Sequence, residues 1–275
     1  MKFKKSLAAC FAFTALFVAG CSQQTSNQAG GSQKNVTVAT DSDTAPFTFK
    51  EKDDFKGYDI DLVKAIFKDS KEYKVEFQTV PFSSILTGVD SGRYQLVANN
   101  INYNEERAQK YLFSDPVSLS NYAIVSKNGD LDSFDKLSGK TAEALPGSNY
   151  AQALENWNKE HPDKTPIQVN YVSDKTGLAQ RLQNIENGKI DFILYDAISA
   201  KYVVKDQGLN LSVANLKDKV GSNKDGVEYF LFAKDKEGEE LAQFVNKRIA
   251  SLKKDGTMKK LSEQYFGGDF VSGLE

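Results

Sequence analysis

YDIDLVKAIFKDSKEYKVEFQTVPFSSILTGVDSGRYQLVAN, residues 58–99, switches its apolar period between helical and extended, and that switching decides the fold. Tyr58 to Lys68 reads as a helix with Leu62, Val63, Ile66 and Phe67 on one stripe. Tyr73 to Val80 alternates as a strand, with Val75 and Phe77 on one side. Ser83 is placed to cap a second helix through Val89, and Gly92 ends it before a strand from Tyr94 to Asn99. Upstream, the β-branched run Val36 to Thr40 ends in a loop from Asp41 to Pro46. Downstream, Asn104 caps a helix through Glu105, Glu106 and Arg107 to Tyr111. The order βαβαβα predicts an α/β fold with a largely parallel sheet and helices on both faces.

A second set of the same kind follows. The strand Lys140 to Leu145 leads through Gly147-Ser148-Asn149 into a helix carrying Trp157. Ile167 to Val172 is a strand, Thr176 to Glu186 a helix, and Ile190 to Leu194 a strand that runs into Asp196 and a helix from Ala197 to Lys205. Two apolar strands, Tyr122 to Ser126 and Glu228 to Ala233, flank this block and are placed to carry the chain out to a second lobe and back. Two closing helices, Gly238 to Lys253 and Thr257 to Phe266, are separated by Asp255-Gly256 and return to the first lobe. The expected division is therefore residues 35–124 with 230–275 as lobe 1 and residues 125–229 as lobe 2.

The N-terminus has its own logic. Lys2, Lys4 and Lys5 precede a weakly polar run from Leu7 to Gly20 that closes on Val18-Ala19-Gly20-Cys21, the pattern of an export signal spanning residues 1–20. That run is about 14 residues, or ~21 Å as a helix, against a hydrocarbon core of about 30 Å, so it is short for a membrane anchor. The residues up to Cys21 resemble the bacterial lipobox, with valine in place of the usual leucine, which implies a lipid (diacylglyceryl, with palmitate-type acylation) on Cys21. The alternative is an ordinary secretory signal with a cysteine at the cut. Residues 21–34 are small and polar, cannot bury enough surface to order themselves, and read as a tether of about 20 Å reach.

Composition narrows the function. Export would change the formal charge from −2 (35 basic against 37 acidic residues) to −5 (32 against 37), without the basic face that nucleic acid requires. Cys10 leaves with the signal and Cys21 takes the lipid, so no disulfide and no thiolate nucleophile is expected. His161 is the single histidine, which excludes the usual zinc site and a histidine-based triad within this chain. No cofactor and no metal are expected. Gly139-Lys140-Thr141 resembles the end of a phosphate-binding loop, but no glycine stands five residues before Gly139.

The loop Asp41 to Phe47, the segment Asn99 to Ser114, the Gly147-Ser148-Asn149 turn and Lys254-Asp255-Gly256-Thr257 resemble, in order and spacing, the solute-binding family of polar amino-acid ABC importers. The resemblance covers residues 35–270 and implies a two-lobed periplasmic-binding-protein type II fold. It also implies two crossing hinge strands and an amino acid held in the cleft between the lobes. The partners it implies are an amino-acid ligand, a membrane permease with a cytoplasmic ATPase, and the outer face of the cell membrane through the lipid. A monomer is expected.

An amino acid is a zwitterion, so its site must offer a cation and amide donors to the carboxylate and an anion to the ammonium. By the resemblance, Arg107 grips the α-carboxylate, and planar bidentate recognition suits arginine. Without the resemblance, an arginine after two glutamates reads as a solvated helix face. The Asn100 carbonyl would accept from the ammonium and the Asn102 amide would meet the carboxylate; local turn bonding is the alternative for both side chains. Ser148 and Asn149, at a helix start, would complete the carboxylate site, or simply cap that helix. Asp196 is the expected anion for the ammonium, with an N-cap as its other reading, and Asp41 would face the ligand side chain or bond across the cleft. Phe82 would pack on the side chain, Thr44 stands where the family often has a second aromatic, and Tyr150 and Tyr195 could supply hydroxyls. Phe82 can equally be core.

Ser148-Asn149-Tyr150 resembles the subgroup that imports cystine, which makes cystine the first expected ligand, with glutamine and other polar amino acids next. Two other classes stay open: an enzyme of the same fold, of dehydratase or cell-wall lyase type, and a surface sensor or adhesin. An enzyme would need Asp41 or Asp196 as its acid or base.

Overall fold

The computed structural model describes residues 33–220 and 224–274; the expected signal peptide, Cys21 and the tether up to residue 32 lie outside the described residues. The first half runs β1 (Lys34–Thr40), a small antiparallel sheet of β2 (Asp43–Thr44), β3 (Thr48–Glu51) and β4 (Asp54–Lys56), then α1 (Tyr58–Phe67) and β5 (Tyr73–Thr79). It continues with α2 (Phe82–Asp90), β6 (Leu96–Asn102), α3 (Glu105–Lys110), β7 (Tyr111–Phe113) and β8 (Ser118–Leu119). The second half holds β9 (Tyr122–Ser126), a 3-10 turn, β10 (Thr141–Ala144), α4 (Asn149–Glu160) and β11 (Gln168–Tyr171). It ends with α5 (Leu178–Glu186), β12 (Phe192–Asp196), α6 (Ala197–Asp206) and β13 (Ser212–Asn215). The chain returns through β14 (Val227–Ala233), α7 (Lys236–Lys254) and α8 (Thr257–Phe266).

Two sheets result. The first has the order β5-β1-β6-β14-β7, with β8 also on β14, and the second β11-β10-β12-β9-β13. Each has a parallel core of three strands, as the βαβ alternation requires. Each is extended by antiparallel strands where the chain crosses between halves. β14 lies wholly in the first sheet and β9 wholly in the second, so the chain crosses between Leu119 and Tyr122 and returns between Asn215 and Val227. At the crossing, the Ser120 N–H donates to the Gly226 carbonyl at 2.8 Å.

Period-2 alternation fills both faces of each sheet. In β6, Leu96 and Ala98 join the core under α1 and α7, while Val97 and Ile101 join the one under α2. In β12, Phe192 and Leu194 pack towards Leu154 and Trp157 of α4, and Ile193 and Tyr195 towards Leu182 and Ile185 of α5. The stripe expected on α1 is buried as expected, Leu62, Val63 and Ile66 completely so.

Two local departures matter for the site. Helix α2 begins two residues early: Pro81 takes the cap position with no side-chain cap bond, and Ser83 lies inside the first turn. Of the small sheet, β2 falls in the loop read from Asp41 to Pro46, and β3 and β4 fall in a stretch with no expected element. Its turn into α1 depends on Gly57, at φ +117°, where an added Cβ would stand 2.2 Å from the Phe47 carbonyl oxygen.

Candidate functional site

The carboxyl ends of β1, β6, β10 and β12 converge on one cavity between the halves, which is where open α/β sheets place ligands. Asp41, Thr44, Phe82, Asn100, Asn102, Arg107, Ser148, Asn149 and Tyr195 all line it, and Asp196 does not.

Arg107 is set by its local sequence. The Asn104 side chain caps α3 and accepts from the Arg107 N–H at 2.7 Å, which turns the arginine inward rather than onto a solvated face. Its side chain is buried, with Nη1 donating to the Asn102 carbonyl and Nη2 to the Gly147 carbonyl, both at 3.1 Å. No carboxylate among the described residues pairs with it within 4.0 Å. Desolvation lowers its pKa, against smaller opposing effects of Tyr122, Tyr150 and Glu106. A buried guanidinium held by two carbonyls and no anion is a costly arrangement that a carboxylate would relieve.

Beside it, Gly147 at φ +73° turns the chain into α4, where Ser148 caps the helix by accepting from Ala151 N at 3.2 Å and donating to Leu145 O at 2.8 Å. The leading N–H groups of such a helix lack intrahelical acceptors and favour an anion. The Asn149 side chain is engaged across the cleft: Nδ2 donates to Tyr103 O and Oδ1 accepts from Asn104 Nδ2, each at 2.8 Å. Its contribution to an anion would therefore come from its backbone.

On the first-half side, Asn100 adopts φ +48°, and its N–H donates to the buried Asp59 at 2.9 Å. Burial raises the Asp59 carboxyl to about 7, against the opposing bond from Asn100 and with a smaller push from Asp41. The Asn100 Oδ1 is buried without a partner. Asp41 is wrapped by donors: Thr44 Oγ1 at 2.7 Å, Asn99 Nδ2 and the Asp43 N–H at 3.0 Å, and Thr48 Oγ1 at 3.2 Å. It lines the cavity, and Thr44 donates its hydroxyl to it.

Asp196 ends β12 and starts α6. Its Oδ1 accepts from Ser199 N at 2.6 Å as the cap of α6, and burial raises its pKa to about 6 against the bonds that Ser199 makes. The cap bond uses Oδ1 and leaves Oδ2 of this buried carboxylate outside the cap.

Other cavity residues were not singled out from sequence: Asn99, which holds Asp41, the apolar Ile101, Ala144, Leu145 and Leu194, and Arg181 of α5. Arg181 had a readable signal. Leu178, Arg181, Leu182 and Ile185 fall at i, i+3, i+4 and i+7, so a cation sits on the helix's apolar stripe. Tyr150 stacks near Tyr195, with ring centroids 4.9 Å apart, and its hydroxyl is 3.4 Å from Asn102 Oδ1. Burial raises the Tyr195 hydroxyl to about 12, so it stays a neutral donor.

Two α/β halves closing strand ends over a cavity, with a buried unpaired arginine beside a helix start, define a two-lobed binding protein for small solutes. Residues 36–268 match the profile of the bacterial extracellular solute-binding proteins, family 3, and the chain belongs to that family. It is 32% identical to the L-cystine-binding protein TcyJ of Bacillus subtilis (strain 168) over 98% of this chain and 97% of that one. It is 30% identical to the probable amino-acid-binding protein YxeM of the same organism, covering 98% of both chains. A solved structure from work on glutathione import in Gram-positive bacteria via GshT and the cystine ABC importer TcyBC of Streptococcus mutans superposes with a TM-score of 0.81. That chain is 37% identical, covering 88% of this chain and 99% of that one. Among the described residues no helix is long and apolar enough to cross a membrane.

Proposed function

We propose that this protein is the extracellular binding component of an amino-acid ABC importer, capturing a polar amino acid, with cystine the first candidate, and delivering it to a permease driven by a cytoplasmic ATPase. The observation that carries this is the buried Arg107 guanidinium, held by two carbonyls and no carboxylate beside the start of α4. That arrangement suits a ligand α-carboxylate. Asp196, at the end of β12, is then the anion for the ligand ammonium, with the Asn100 amide oxygen as a further acceptor and Asp41 as a nearby acid on the cavity wall.

Lobe 1 in this reading is residues 35–124 with 230–275 and lobe 2 residues 125–229; sheet pairing supports moving the crossings to Ser120-Asn121 and 216–226. Lobe 2 closes over a ligand first held on lobe 1, by hinge motion at the crossings. The chain acts as a monomer, anchored by a lipid on Cys21. Binding without turnover is favoured over catalysis because Asp41 is committed to four donors and Asp196 caps α6.

The test is a thermal-shift panel on protein refolded to strip carried ligand, against the common amino acids and cystine. A ligand at a thousand times its Kd adds about 4 kcal/mol, a shift of roughly 8 to 16 °C. One large shift names the ligand; no shift across the panel overturns the amino-acid reading.

A further inference from the structure

The cavity has a second buried cation that the capture of one α-carboxylate does not use. Arg181 is 3% exposed, and its Nε is buried without a hydrogen-bond partner. Among the described residues its guanidinium makes no side-chain hydrogen bond and has no carboxylate oxygen within 4.0 Å. Its one close electrostatic contact is the Tyr195 ring, 5.1 Å from the guanidinium carbon to the centroid. Asp43 feels its field from beyond ion-pair distance, across the cleft. A guanidinium carries five donors and is rarely buried without an anion to take them.

Position separates the two arginines. Arg107 lines only the central cavity, where it reaches Gly147 at the α4 side. Arg181 lines that cavity and also a neighbouring one, lined too by Thr79, Pro81, Gly177 and the acids Asp43 and Asp174, that Arg107 does not reach. Asp41, Thr44, Phe82, Leu145 and Tyr195 line both spaces, and Arg181 is the cation they share.

We propose that Arg181 is a second anion-recognition point, so that the ligand this cleft fits is elongated and carries a carboxylate at each end, one on Arg107 and one on Arg181. This rests on the binding function proposed above and names its ligand class: a molecule of two linked amino-acid units that keeps a carboxylate at each end, such as a disulfide-bridged pair or a short peptide linked through a γ-carboxyl. The Tyr195 ring holds the guanidinium plane in place without consuming its donors.

The experiment is calorimetric titration of the full exported protein with two-ended probes and one-ended counterparts: L-cystine against S-methylthio-L-cysteine, and glutathione against its glycine amide. Wild type, Arg181→Met, Arg181→Lys and Arg107→Met are compared, each first checked for cooperative thermal unfolding. The expected result is that wild type binds one two-ended probe at least about tenfold tighter than its counterpart. Arg181→Met erases that gap while leaving one-ended affinity in place, and Arg181→Lys restores part of it. If the one-ended compound binds wild type as tightly, or Arg181→Met weakens both members of a pair equally, the second anion point is wrong while the Arg107 site stands. If no probe binds wild type and Arg107→Met changes nothing, the binding function itself falls and this inference with it. Should Arg181→Met fail to fold, the Arg181→Lys gap against wild type decides.

Discussion

Replacing Arg107 by methionine should weaken ligand affinity while leaving the stability of the ligand-free protein almost unchanged. Methionine keeps most of the side-chain volume and removes a cation that is 7% exposed. Lost are the bonds to Asn102 O and Gly147 O, about 1.5 to 3 kcal/mol each as charged-donor bonds. Gained is relief from the desolvation of a charge with no anion beside it, several kcal/mol in real proteins. These nearly cancel, so the ligand-free variant should unfold in urea within about 1 kcal/mol of the parent. Binding has no such cancellation, because the ligand carboxylate would enter the cleft without its cation. Breaking one side of a buried charge pair costs about 3 to 5 kcal/mol, or roughly two to three and a half orders of magnitude in Kd. The assay pairs urea denaturation of stripped protein with titration of the ligand found in the thermal-shift panel. A Kd within threefold of the parent would refute the assignment of Arg107; a ligand-free stability loss beyond about 4 kcal/mol would show that the arginine is mainly structural.

Three further outcomes are expected. Asp59 at about 7 and Asp196 at about 6 lie above the ordinary carboxylate value because burial disfavours their charged forms. The folded state therefore binds protons more tightly than the unfolded one, and stability falls as pH rises from 4 through 7. Urea unfolding should show a gain of about 1 kcal/mol from pH 8 to pH 6 through Asp59, and Asp59→Asn, which can still accept from the Asn100 N–H, should flatten that slope. Gly57→Ala should cost at least about 2 kcal/mol in the same assay, since φ +117° and the Phe47 carbonyl both oppose a Cβ; an unchanged midpoint would mean that the turn relaxes freely. Mass spectrometry of protein extracted from membranes should find Cys21 as the N-terminal residue bearing a diacylglyceryl group, and an unmodified Cys21 would remove the anchor.

The alternating halves were legible because Leu62, Val63 and Ile66 repeat at helical spacing and Phe192 to Tyr195 fill both faces of a strand, patterns that burial imposes on sequence directly. The β2 to β4 sheet was not, since strands of 2 to 4 residues are too short for a period to show. Ser83 looked like a cap by residue type, but its hydroxyl donates to Asp174 at 2.6 Å, a tertiary bond that no local pattern announces. Arg107 stood out only through the family resemblance, since an arginine after two glutamates reads locally as a solvated helix face. Asp196 shows a related difficulty, for the residue type and position that suit an ammonium partner are the same ones that suit a helix cap. Arg181 could have been found, since a cation on an apolar stripe asks for an explanation, yet the stripe alone reads as core.

The bonds that join the halves are mixed in kind. Arg107 to Gly147 and Ser83 to Asp174 involve a charged group, while Asn104 to Asn149, Asn149 to Tyr103 and Tyr150 to Asn102 draw on uncharged amides and hydroxyls, which water can replace at little loss. Where only a fraction of ligand-free molecules is shut, the measured Kd is the intrinsic one divided by that fraction. Tightening the clasp would raise affinity without touching a ligand contact, and would slow unloading by the same factor. A carrier that must surrender its cargo at each delivery is served by a grip that fails easily.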